Sequence, residues 1–177
     1  MYTKPILFAC LILKTSIGFA QEKIYDGNTQ LENWFTCDSN KIQLCENESG
    51  LLDATIDHGY WACFGVTFSN KNLTNTTKLE VTLKGISHTS VKTTTVMFRW
   101  KDVNNIQTND GTLPSNKNLL IGEGYQTFYT DYKNHLISSD GAFDTTKVNT
   151  LLIFIHFESY LIEEFSGKIT VKEIRVF

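Results

Sequence analysis

The stretch "YWACFGVTF", residues 60–68, decides how the chain is read. In an extended strand successive side chains point to opposite faces. Tyr60, Ala62, Phe64, Val66 and Phe68 then share one face, and Trp61, Cys63, Gly65 and Thr67 share the other. The first set is a core stripe. The second is one indole bordered by small residues, a face that is either open to something flat or covered by a loop or a second packed layer.

The same period of two runs outward from this stretch. "LEVTLKG" (79–85) sets Leu79, Val81 and Leu83 against Glu80, Thr82 and Lys84, the pattern of a half-buried strand. "VKTTTVMFRWKD" (91–102) places Val96, Phe98 and Trp100 on one face and Thr95, Met97 and Arg99 on the other. Its β-branched and aromatic residues make it a poor helix. "YQTFYTDY" (125–132) alternates aromatic and polar residues, and "TLLIFIHF" (150–157) is apolar on both faces, as a covered central strand would be. A helix over 147–165 competes with that last reading, and β-branched and aromatic content favours the strand. "GKITVKEIRVF" (167–177) changes phase between Val171 and Ile174, which predicts a bulge at Lys172 and Glu173.

Polar, turn-rich segments such as 69–77, 102–118 and 138–143 separate these runs. There are two prolines, Pro5 and Pro114, and no repeat or low-complexity linker. Short strands joined by polar loops predict an all-β, single-domain antiparallel β-sandwich of the jelly-roll kind.

The N-terminus reads "MYTKPILFACLILKTSIGFAQ", with Lys4 ahead of an apolar run from Ile6 to Leu13 and small residues before Gln21. That is the layout of a signal peptide over 1–20, cleaved after Ala20, leaving 21–177 as the folded domain in a secreted or periplasmic setting. The apolar run is too short for a membrane span, and no later stretch approaches one. Losing Lys4 and Lys14, and no acid, moves the formal charge from -3 to -5. With no basic run, nucleic acid is not an expected partner, since phosphate neutralisation needs clustered Lys and Arg. Oligomeric state is not legible.

Cys37, Cys45 and Cys63 remain after processing, so at most one internal bridge forms. In "CDSNKIQLC" (37–45) a turn at 38–41 would set Cys37 opposite Cys45, and that short loop is the pairing expected if a bridge exists. The alternative is three reduced, buried thiols. Asn47, Asn72 and Asn75 each begin an N-glycosylation pattern.

The order "LENWFTC", "YWACFGVTFSN", "LEVTLKG", "VMFRWKD", "GYQTFYTDY", "FDTTKVNTLLIFI" and "GKITVKEIRVF" resembles the galactose-binding-like β-sandwiches, especially secreted carbohydrate-binding modules, over residues 24–177. The resemblance implies a polysaccharide or glycan partner. Sugars are held by aromatic plates under the ring and planar polar groups at the hydroxyls. Trp61, Tyr125 and Tyr129 are the candidate plates, and Arg99, Asp131 and Gln126 the candidate polar contacts. Trp34 and Trp100 read as core. Trp61 packing under a loop and Arg99 in an ion pair are the structural alternatives. The resemblance further implies a structural calcium, with Glu32 and Glu173 where it would place ligands; a solvated or ion-paired carboxylate is the alternative for each.

No nucleophile elbow, zinc-binding helix motif or phosphate-cradling loop occurs. A lyase pair such as Tyr132 with His135, or a glycosidase pair of carboxylates, would have to be chosen without a motif. The reading is therefore a secreted, non-catalytic glycan-binding module, with a structural or protein-binding sandwich as the alternative and a lyase or hydrolase behind both.

Overall fold

The computed structural model describes residues 21–28, 30–37, 41–108, 111–112, 118–131, 142–157 and 164–177. The expected leader, residues 1–20, and the pair Tyr132 and His135 lie outside them. Among the described residues twelve strands follow in chain order: β1 (Glu22–Tyr25), β2 (Trp34–Thr36), β3 (Ile42–Glu46), β4 (Leu52–Gly59), β5 (Trp61–Lys71) and β6 (Lys78–Ser87). Then come β7 (Thr93–Asp102), β8 (Gly111–Thr112), β9 (Leu119–Leu120), β10 (Gln126–Asp131), β11 (Val148–Phe157) and β12 (Phe165–Val176). A short 3-10 turn, Leu31–Asn33, leads into β2.

Among the described residues the strands form two antiparallel sheets. Sheet A runs β10-β6-β12-β4-β3, with β1 also on β12, and sheet B runs β2-β5-β11-β7-β8, with β9 on β7. The alternation seen in the sequence explains how they meet. Leu79, Val81 and Leu83 of β6 and Ile169 and Val171 of β12 turn inward from sheet A. Phe64 and Val66 of β5, Phe98 and Trp100 of β7 and Ile153 and Ile155 of β11 turn inward from sheet B, into the same core. Each such side chain stabilises the sandwich by roughly 1.5–3 kcal/mol relative to exposure. Trp34 joins the core edge-on to Tyr25, their ring centroids 5.2 Å apart. The 147–165 helix is overruled where described, because Val148–Phe157 is the central strand of sheet B. The register of β12 against β6 shifts between Val171 and Glu173, as the phase change predicts.

Two expectations fail here. Tyr60 is not a core residue: β4 ends at Gly59 and β5 begins at Trp61, so Tyr60 sits at the corner, 39% exposed, where strand alternation does not reach. The disulfide joins Cys37 to Cys63, not to Cys45. Strand β2 pairs with β5 in sheet B whereas β3 pairs with β4 in sheet A, so Cys37 and Cys45 belong to different layers and do not face each other across a hairpin. Cys37 leaves β2 beside Cys63, whose carbonyl accepts its N–H at 2.9 Å, and Cys45 is an exposed free thiol.

A buried carboxylate ties sheet A together. Asp53 accepts from Asn47 Nδ2 at 3.1 Å and Thr170 Oγ1 at 2.7 Å, and pairs with Lys168 Nζ at 2.8 Å. Burial alone would raise its pKa, but the hydrogen bonds from Lys168, Thr170 and Asn47, with the charge of Lys168, outweigh burial and hold it below the ordinary 3.8. Asp102, also buried, organises the far loops: Oδ1 accepts from the N–H groups of Asn104 and Ile106, and Oδ2 from that of Asp144.

Candidate functional site

The outer face of sheet B is built in rows by the strand register. Trp61 of β5 lies beside His156 of β11, which lies beside Thr95 of β7. The next row is Cys63, Phe154 and Met97, and the third is Phe35, Gly65, Leu152 and Arg99. Thr67, Thr150 and Lys101 complete a fourth.

The small residues flanking Trp61 are not open space. Cys63 is consumed by its bond to Cys37, and Gly65 lies under Phe35 and Leu152, whose Cζ and Cδ2 stand 2.7 and 2.9 Å from where a Cβ would be. Leu152 is buried by that cover. Trp61, by contrast, is 50% exposed, and His156 beside it is exposed too. This row is more open than the next two, where Cys63, Gly65 and Leu152 are buried and Phe35, Phe154, Met97 and Arg99 half-buried; Thr67 in the fourth row is exposed.

Arg99 lies over the ring of Phe154, its Cζ 4.9 Å from the centroid, and its Nη1 donates to Gln107 Oε1 at 3.4 Å. The guanidinium is thus positioned by an aromatic plate. Thr95 Oγ1 donates to Asn118 Oδ1 at 3.3 Å. The resulting surface offers an indole, an imidazole, a hydroxyl and a fixed guanidinium along adjacent strands, a set suited to stacking on a ring and bonding its substituents. No carboxylate stands in these four rows.

The other nominated residues are elsewhere. Tyr125 and Tyr129, 38% and 43% exposed, belong to the outer face of sheet A, across the core from Trp61 and Arg99. Asp131 ends β10 opposite Lys78, and its side chain lies outside what is described. Gln126 is committed to its own loop, Nε2 donating to the Leu120 carbonyl at 2.8 Å while Oε1 accepts from the Leu120 N–H at 3.0 Å. Gly122 makes this turn possible with φ at +90°, a left-handed conformation that side chains resist.

For calcium, Glu173 is paired with Lys23 at 3.8 Å and with Arg175, and Glu32 is exposed on the 3-10 turn. Glu173 is thus already matched by cations, and these two carboxylates alone would supply only part of the six to eight oxygens that calcium takes. Among the described residues no three His, Cys, Asp or Glu side chains converge on a metal position.

Phe35, Phe154, His156 and Gln107 are the face residues that sequence reasoning missed. His156 was findable, as it follows Leu152 and Phe154 at spacing two, but the run 150–157 reads as apolar throughout. Phe35 and Gln107 enter through register and loop contact, which spacing does not encode.

No family model matches the chain, and no curated protein matches it. Solved structures do. A family 11 carbohydrate-binding module from Clostridium thermocellum, in complex with a β-1,3-1,4-mixed-linked tetrasaccharide, superposes with a TM-score of 0.57 at 12% identity, over 89% of this chain and 95% of that one. A family 30 carbohydrate-binding module gives 0.57 at 12%, over 89% and 98%. A family 28 module specific for non-crystalline cellulose gives 0.57 at 9%, over 82% and 87%. The chain has the antiparallel β-sandwich fold of these carbohydrate-binding modules. Among the described residues no helix is long and apolar enough to cross a membrane.

Proposed function

We propose that the chain is a secreted, non-catalytic glycan-binding module whose ligand lies along the outer face of sheet B. Trp61 is the stacking plate, and Arg99 and His156 meet hydroxyl groups. The observation that carries this reading is the half exposure of Trp61, beside the exposed His156, on a face whose next two rows are more buried. A large apolar ring left in water at the end of a fixed polar row is a costly arrangement for folding and a useful one for stacking. The fold supports the same reading only by analogy.

The ligands named for the structural neighbours make soluble β-glucans the first probes: mixed-linkage β-1,3-1,4-glucan, then a soluble cellulose derivative. Isothermal titration tests the proposal; heat of binding that saturates is expected, and silence across these and other neutral polysaccharides would contradict it. Export is tested by N-terminal sequencing of the protein recovered outside the expressing cell, which should begin at Gln21.

A further inference from the structure

The outer face of sheet A carries a second arrangement of aromatic and charged groups. Lys84 Nζ lies 4.8 Å and Lys172 Nζ 5.2 Å from the centroid of Tyr125, so two ammonium groups converge on one exposed ring. The bulge in β12 produces this convergence, because Lys172 is the residue skipped in the β12–β6 register. The nearby carboxylates are already matched: Glu80 with Lys78, and Glu173 with Lys23 and Arg175. Among the described residues neither Lys84 nor Lys172 has a carboxylate at ion-pair distance. Two cations are thus held together by a ring instead of by an anion.

Beside them is a cavity of about 340 Å³. Its walls are Tyr125, Lys172, Arg175, the hydroxyls of Thr82 and Thr127, which bond each other at 3.0 Å, and the carboxylates of Glu80 and Glu173, the two already matched by Lys78, Lys23 and Arg175. That volume lies at the small end of ligand sites. Four residues along β10, Tyr129 repeats the motif with Lys78 Nζ 5.2 Å from its centroid. At the rise of a strand the two rings are about 13 Å apart, so a polymer, not a single small anion, would engage both.

We propose that this face is a second glycan-binding site, selective for an oxyanion carried on a pyranose, either a uronate carboxylate or a sulfate ester. The anion sits between Lys84 and Lys172, and the sugar ring lies over the threonine-lined cavity towards Tyr129. A nucleic acid fits less well, because the chain is acidic overall and only two cations here lack anionic partners. The site is independent of the Trp61 face, and together they would let one module hold two chains.

Affinity electrophoresis tests it with four polymers: a polyuronate, a sulfated galactan, a neutral mixed-linkage β-glucan and duplex DNA. The wild-type protein should be retarded by one or both acidic glycans, and which one identifies the oxyanion. Lys84→Gln with Lys172→Gln should weaken that retardation by about tenfold or more, the scale of losing hydrogen bonds to a charged group. Trp61→Ala should leave it unchanged while reducing retardation by the neutral glucan, so the two faces fail or succeed separately. No retardation by either acidic glycan, no effect of the lysine substitutions, or equal retardation by DNA would overturn the proposal.

Discussion

Phe35 of β2 stands opposite Gly65 of β5, and its Cζ lies 2.7 Å from the position a Cβ on residue 65 would take. The same position is 2.9 Å from the backbone carbonyl oxygen of Leu151, which cannot swing aside as a side chain could. Gly65→Ala should therefore destabilise the sandwich by roughly 1–3 kcal/mol through overpacking. A urea melt measures it, and an unchanged midpoint would show that Phe35 does not seal the face here.

The Cys37–Cys63 bridge closes a loop of 26 residues. By the chain-entropy relation this constrains the unfolded state by about 3–4 kcal/mol. Cys37→Ser should lower stability on that scale, and Cys45→Ser should leave it nearly unchanged. Peptide mapping without reductant should recover Cys37 joined to Cys63 and Cys45 alkylated; a bridge involving Cys45 would contradict the assignment of β2 and β3 to different sheets.

Asp53 gives the fold a pH signature. Its pKa is lowered, so its contribution is complete above the ordinary 3.8 and is lost as pH falls through the lower folded value. Lys168 is raised by its hydrogen bond to Asp53 and then by that residue's charge, so its contribution is complete below 10.5 and is lost as pH rises through the higher folded value. Between those limits Asp53→Asn should cost roughly 1.5–3 kcal/mol, the scale of a hydrogen bond to a charged group. The difference from wild type should shrink below pH 3.8. A constant difference down to strongly acid pH would show that charge is not what Asp53 contributes.

The layers of this fold were legible because each half-buried strand carries its own record. Val96, Phe98 and Trp100 face the core, as their spacing predicts. The bulge was legible for the same reason, as a break in that record. Relations between strands were not. Cys63 finds Cys37 because β2 crosses to sheet B beside β5, and no local spacing encodes that neighbour. Tyr125 and Trp61 look alike in sequence and belong to opposite sheets, since face parity within a strand says nothing of which sheet the strand joins. That Trp61 faces away from the core stripe followed from phase; its exposure, and the filling of the space beside it by Phe35 and Leu152, did not.

The most direct measurement is a pair made on Trp61→Ala: isothermal titration with mixed-linkage β-glucan and a urea melt. Trp61 is half exposed and stands in a row with His156 and Thr95, so truncation should cost about 1 kcal/mol of stability or less. Loss of a stacking plate is worth roughly 1–3 kcal/mol, so affinity should fall about tenfold or more. Unchanged affinity for a glucan that the wild-type protein binds, or a stability loss of roughly 3–5 kcal/mol as for a core aromatic, would contradict the assignment of this face as the glycan site.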